Sequence, residues 1–184
     1  MRYAPLTLTT LASLVPPELN ADVRIIDEGV DEIDPDALDA DLVGISAITG
    51  TAPRAYEIAA RLRRGGIPVV IGGMLPTLMP EEAMTHADST VVGYAEESWP
   101  ALLRDFSSGK MARRYDQSPT LSLANLPFPQ RELYDTSLVK LAHTPEATRG
   151  CIYQCEFCVV PAAGGKPLQK PVADVVADIK QMRA

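Results

Sequence analysis

DLVGISAITGTAPRAYEIAARLRRGGIPVVIGG, residues 41–73, reads as strand, helix and strand in immediate succession. Leu42, Val43 and Ile45 supply the apolar residues of a strand over Asp41–Ser46. Thr51 then stands where an N-cap is wanted, and Pro53 falls in the first turn, where its missing N–H costs nothing. The helix runs through Tyr56, Ala59, Ala60 and Leu62 to Gly65-Gly66, which supply a C-cap. Pro68–Ile71 follows as a buried strand of Val and Ile, closed by Gly72-Gly73.

The same alternation extends outward from this unit. Toward the C-terminus come a short helix opened by Pro80-Glu81-Glu82, a strand near Thr90–Val92, and a helix over Ser98–Phe106 with Ser98 as its cap. Toward the N-terminus, Leu6, Leu8, Leu11, Leu14 and Val15 lie at helical spacing, which predicts a helix over Pro5–Val15 that Pro16-Pro17 stop. Val23, Ile25 and Ile26 predict a strand over Asn20–Asp27, and the acid-rich run Asp31–Asp41 reads as a solvated loop. Strands and helices alternating through short connections predict a Rossmann-like, doubly wound α/β sheet, mostly parallel and covered on both faces. Such domains begin with a strand, whereas this chain begins with a helix, so it is expected to lack its first strand or to start late.

From Ser107 to Leu138 the texture changes to prolines and polar residues without a period, which reads as a linker. Val139–Ala184 reads as a strand into Arg149, a cysteine loop, a Gly/Pro-rich stretch over Pro161–Pro171, and a helix whose Val172, Val175, Val176, Ile179 and Met182 share one face. A lone strand, loop and helix would leave that face uncovered, so this part is expected to begin a larger domain. The division expected is 1–115 for the sheet domain, 116–138 for the linker and 139–184 for the start of the next domain.

The 184 residues, 46% hydrophobic and 22% charged, suffice for a full core. A formal net charge of -7 argues against a nucleic-acid or anionic-membrane surface as the main partner. No apolar run is long enough to span a bilayer, and the first twenty residues lack a leader pattern, so the cytoplasm is the expected compartment.

All three cysteines, Cys151, Cys155 and Cys158, fall within eight residues. An odd, clustered set is no disulfide framework. Three soft thiolates from one short loop favour zinc, copper or an iron-sulfur cluster, and three ligands leave a tetrahedral metal, or one iron of a cube, open to another molecule. Zinc would need a fourth ligand, and His143 lies eight residues upstream, beyond usual spacing. A ferredoxin-type cluster would need a fourth cysteine.

The CxxxCxxC spacing, with Phe157 directly before the third cysteine, resembles the cluster loop of radical S-adenosylmethionine enzymes. That resemblance implies a 4Fe-4S cluster on Cys151, Cys155 and Cys158, with S-adenosylmethionine on the fourth iron, Phe157 beside its adenine, and an external electron donor. Residues 6–106 are similar to the cobalamin-binding domain that precedes the barrel in many of these enzymes. The similarity lies in Gly44-Ile45-Ser46-Ala47-Ile48, Gly72-Gly73, Pro76-Thr77, Pro80-Glu81-Glu82 and Gly93 to Trp99. It implies cobalamin contacts at Ser46, Thr49, Gly72, Gly73, Gly93 and Glu96. A small Ser46 would leave room beneath a macrocycle, and bare glycine backbone would admit a nucleotide tail.

Two departures from the family pattern stand out. Neither His86 nor His143 lies in the Asp-x-His-x-x-Gly context that supplies an imidazole to cobalt. Gly93-Tyr94-Ala95-Glu96 also stands where the family often has Gly-Glu-Gly-Glu. The expected whole is a cobalamin-type sheet domain, a linker and the first βα unit of a radical S-adenosylmethionine barrel, acting by C–H functionalisation, methylation among the options, on an unknown substrate. The other class of function the residues allow is a non-catalytic corrinoid carrier or electron-transfer iron-sulfur protein. Trp99 and His86 are expected to be packing and surface residues, and the pair Lys166 and Lys170 a solvated loop.

Overall fold

The computed structural model describes residues 6–134, 144–161 and 167–182. The chain forms two compact units. One, of residues 16–20 and 26–118, holds the main sheet, and the other, of residues 1–15, 21–25 and 119–184, holds the cysteine loop.

In the sheet unit, β1 (Val43–Ser46), β2 (Val69–Gly72), β3 (Ser89–Val92) and β4 (Arg114–Asp116) lie side by side in that order, all parallel. Between them run α2 (Ala52–Arg64), α3 (Met74–Leu78), α4 (Pro80–His86) and α5 (Ser98–Ser107). Because side chains alternate across a strand, β2 feeds both faces. Val69 and Ile71 join Ala55, Ile58, Ala59 and Leu62 of α2 and Leu75 of α3 in one core. Val70 joins Val91 and Leu102 in the other, where Trp99 packs. A Cβ at Gly44 would lie 3.2 Å from the Trp99 ring, so the bare strand there makes room for the indole. The doubly covered parallel sheet read from the sequence is the sheet observed.

Several local expectations need correction. Asn20–Asp27 forms no strand; a strand needs a ladder partner, and among the described residues none pairs with it. The stretch read as linker contains β4, whose Thr90↔Arg114 to Val92↔Asp116 register extends the sheet. Its apolar signal is one residue, Tyr115, whose hydroxyl donates to Asp105 Oδ2 at 2.7 Å, while Arg114 and Asp116 pair along the sheet edge, as befits an edge strand. The acidic loop is tied down by α2: Arg61 binds Asp34 and Asp36 at 2.7 and 2.6 Å, and Arg54 binds Glu28 at 2.6 Å.

Neither proposed side-chain cap forms. Thr51 Oγ1 instead accepts from Ile48 N–H at 3.2 Å, closing a short turn before α2, and Ser98 lies buried inside α5. The C-cap holds: Gly65 N–H donates to Arg61 O at 3.1 Å, and Gly66 takes the left-handed φ of 85° that glycine tolerates. His86 ends α4 with its ring stacked on Tyr56, centroids 3.8 Å apart.

The second unit contains α1 (Leu6–Ser13), which falls here and not with the sheet. Thr9 O accepts from Gln130 N–H at 3.0 Å, next to a single helical turn over Arg131–Leu133. β5 (Thr148–Arg149) enters the cysteine loop and pairs antiparallel with β6 (Leu168–Gln169), a strand not foreseen in the Gly/Pro-rich stretch. α6 (Val172–Gln181) follows, with Val172 and Val176 exposed and Asp178 buried. The onset of the strand at Val139, together with His143 and Lys166, lies outside the described residues.

Candidate functional site

The C-terminal ends of parallel strands are where open α/β sheets bind ligands, and the sheet unit gathers its singled-out residues there. Ser46 and Gly72 are register partners at the ends of β1 and β2. Ala47 N–H donates to Gly72 O at 3.0 Å, and Leu75 N–H donates to Ala47 O at 3.0 Å, so the two strand ends and the start of α3 are laced together. Gly73 is forced by this closeness. Its φ is 91°, and a Cβ would stand 2.8 Å from Ala47 O and 3.1 Å from Ser46 Oγ. The bare backbone of Gly73 therefore serves the packing of the β1 and β2 ends against each other.

Thr77 is the residue that links this turn to the next. Its Oγ1 donates to Gly73 O at 2.8 Å and accepts from Gly93 N–H at 2.9 Å. Gly93 has a φ of 81°, and Gln117 lies against it: a Cβ there would come within 2.6 Å of Gln117 Oε1. That same oxygen accepts from Tyr94 N–H at 2.9 Å. Pro76-Thr77 is visible in the sequence, whereas Gln117 carries no sequence signal, because its position is set by the unforeseen β4. Thr49 begins the exposed turn Thr49–Thr51, and Glu96 is buried. Ser46, Thr49, Gly72, Gly73 and Gly93 thus share one sheet edge.

The loops at that edge, residues 46–51, 72–79 and 93–96, carry one charged side chain, Glu96, and no histidine. Ile48 and Met79 stand exposed on them. A shelf of small and apolar groups with a single carboxylate suits a broad, largely apolar ring, and it offers no imidazole to a metal at the ring's centre. His86 is engaged elsewhere, stacked on Tyr56.

The cysteine loop opens at Gly150, whose φ of 84° turns the chain out of β5. Cys151 and Cys158 are half-buried, Cys155 is exposed, and all three are free thiols. Cys158 N–H donates to Cys155 O at 3.0 Å, so the second and third cysteines are joined by one turn. Phe157 is 91% exposed, a large ring left on the loop surface, and Ile152 and Tyr153 of the same loop are exposed too. Among the described residues, no three His, Cys, Asp or Glu side chains converge on a point that one metal ion could occupy. A tetrahedral zinc needs its thiolates to meet at one point, whereas a four-iron cube takes each thiolate at a different corner. Three free thiols on one short loop are a donor set of the kind a cube takes, with one corner left open.

The ends of that loop are held by charge. Arg149 donates to Glu146 through two nitrogens, at 2.8 and 2.9 Å, and Lys170 Nζ lies 3.6 Å from Glu146 Oε2. Lys170 is therefore no solvated loop residue. Behind the loop, Arg131 forks onto buried Asp178 at 2.8 and 3.0 Å and donates to Thr144 O at 3.1 Å. No helix among the described residues is long and apolar enough to cross a membrane.

Comparison with known proteins bears on both units. Residues 5–103 match the family model described as the B12 binding domain. The chain is similar to two methyltransferases of Chlorobaculum tepidum. It is 38% identical to a bacteriochlorophyllide d C-8(2)-methyltransferase, over 88% of this chain and 37% of that protein. It is 34% identical to a bacteriochlorophyllide d C-12(1)-methyltransferase, over 98% of this chain and 40% of that protein. A tRNA-2-methylthio-N(6)-dimethylallyladenosine synthase of Xanthomonas oryzae is 29% identical over 89% of this chain and 35% of its own length. Among solved structures, the radical S-adenosylmethionine methyltransferase TsrM of Kitasatospora setae shares the fold. Its TM-score is 0.70 at 19% identity, over 98% of this chain and 43% of that one. The chain spans about two-fifths of the length of these curated relatives.

Proposed function

Because this chain belongs to the B12-binding domain family and is related to radical S-adenosylmethionine methyltransferases, we propose that it forms the cobalamin domain and cluster loop of such a methyltransferase. The observation that carries the reading is the pairing, in one chain, of a histidine-free strand-end shelf with a loop of three free thiols. When bound, the cluster supplies the electron that cleaves S-adenosylmethionine to a 5'-deoxyadenosyl radical, and cobalamin supplies the methyl group.

The chain's own residues would hold and orient these groups. Cys151, Cys155 and Cys158 ligate three irons and leave the fourth to S-adenosylmethionine, and Phe157 offers its exposed ring to the adenine. Ser46 and Thr49 line the shelf after β1, and Gly72, Gly73, Gly93 and Glu96 line it after β2 and β3. Gly73 and Gly93 act mainly by keeping the strand ends closed, since Ala47 and Gln117 already fill the space beside them. An external donor supplies the electron that the cluster passes on, and the partners of the chain's own residues are the small-molecule cofactors. The shelf belongs to the sheet unit of residues 16–20 and 26–118 and the cysteine loop to the other unit, and the reaction is assigned to the cytoplasm, where thiols stay reduced.

Anaerobic reconstitution of the full-length protein with iron and sulfide tests the reading. The expected product carries one 4Fe-4S cluster, visible by electron paramagnetic resonance after reduction, and also retains hydroxocobalamin through gel filtration. Assembly of the same cluster after Cys155→Ser, or failure of the unsubstituted protein to hold either group, would overturn it.

A further inference from the structure

Among the described residues, the backbone pairing that closes the cysteine loop is the two-residue ladder between β5 and β6 together with Lys170 N–H donating to Ala147 O at 2.9 Å. So short a pair is marginal by itself. At this neck one carboxylate, Glu146, meets one cation from each strand: Arg149 from the entering side and Lys170 from the leaving side. The three side chains are 23%, 14% and 11% exposed, so their charges act through a medium far less screening than water. Arg149 is two residues from Cys151, which limits their Cα separation to about 7 Å.

We propose that Glu146 is a positioning residue for the cluster loop. By pairing with Arg149 and Lys170 it closes the neck and sets the positive charge that the cluster's irons and thiolates feel. The inference rests on the reading of Cys151, Cys155 and Cys158 as cluster ligands. Reduction adds negative charge to the cluster, so a nearby cation favours the reduced form and a nearby carboxylate opposes it.

Glu146→Gln and Lys170→Gln break the same ion pair with side chains of similar shape, but they change the charge in opposite directions. That contrast separates electrostatics from structure. Each variant of the full-length, cluster-loaded protein is titrated potentiometrically, with the reduced cluster followed by electron paramagnetic resonance. The expected midpoint potential moves up in Glu146→Gln and down in Lys170→Gln. Shifts in the same direction, or none, overturn the proposal. If Glu146→Gln holds no cluster, retention of the cluster by Glu146→Asp supports the closing role, and its loss in both overturns it. An unsubstituted protein that binds no cluster removes the functional reading first, and this inference with it. A loaded protein with unmoved potentials removes the inference alone.

Discussion

Arg131→Met should unlatch α6 from the segment that precedes the cysteine loop. The Arg131 and Asp178 side chains are 12% and 6% exposed and meet in a fork at 2.8 and 3.0 Å, with Thr144 O taking a further Arg131 N–H. Asp174 of α6 also accepts from Asn125 N–H at 2.9 Å, so two carboxylates of one helix fasten the 119–134 stretch. Removing the guanidinium leaves Asp178 nearly dry and uncompensated, which costs about 3–5 kcal/mol. For a chain of this size each kcal/mol moves Tm by about 2–4 °C, so a loss of at least about 6 °C is expected. In hydrogen exchange the α6 amides should lose about two orders of magnitude of protection. Arg131→Met combined with Asp178→Leu removes both charges and should recover most of the loss, since an apolar pair of similar volume is often as stable as a buried ion pair. The reasoning fails if Arg131→Met unfolds within about 1 kcal/mol of the unsubstituted protein, or if the double variant is as unstable as the single one.

Gly73→Ala, with its φ of 91° and a Cβ 2.8 Å from a backbone oxygen, should cost more than the roughly 1–3 kcal/mol of a strained backbone alone. It should also weaken hydroxocobalamin retention on gel filtration; undiminished retention and stability would contradict the packing role. Leu62→Ala, at a fully buried position between α2 and the sheet, should destabilise by about 2–5 kcal/mol in urea unfolding. Tyr56 is pushed up to about 12 by burial first and then by donating to Glu82. Its folded pKa exceeds the unfolded one, so its stabilising contribution is full below pH ~10 and is lost as pH rises toward that higher value. An ultraviolet titration should show late-titrating tyrosinate that Tyr56→Phe reduces, the remainder belonging to Tyr115, which burial also pushes up.

The sheet was legible because β2 is a run of Val and Ile between Pro68 and Gly72-Gly73, β1 and β3 each hold two apolar residues, and α2 shows its apolar face and glycine C-cap in plain order. β4 was not, because an edge strand needs one inward residue, and Tyr115 among arginines and aspartates sets no pattern. Asn20–Asp27 erred the other way: Val23, Ile25 and Ile26 have strand propensity, but propensity without a ladder partner makes no strand. The cysteines announced themselves by spacing, and Gly72-Gly73 and Gly93 by position. What the glycines do was hidden, since Gly73 and Gly93 face Ala47 and Gln117, contacts that depend on distant segments meeting. The Glu146 neck was hidden for the same reason: Lys170 reaches Glu146 through a two-residue ladder that no periodicity can signal.

The most direct measurement is the fate of S-adenosylmethionine on the reduced, cluster-loaded, cobalamin-bound full-length protein, followed by chromatography. Formation of 5'-deoxyadenosine that is abolished by Cys151→Ser, Cys155→Ser or Cys158→Ser is the expected result. A protein that holds its cluster yet leaves S-adenosylmethionine intact would contradict the reading of the three cysteines.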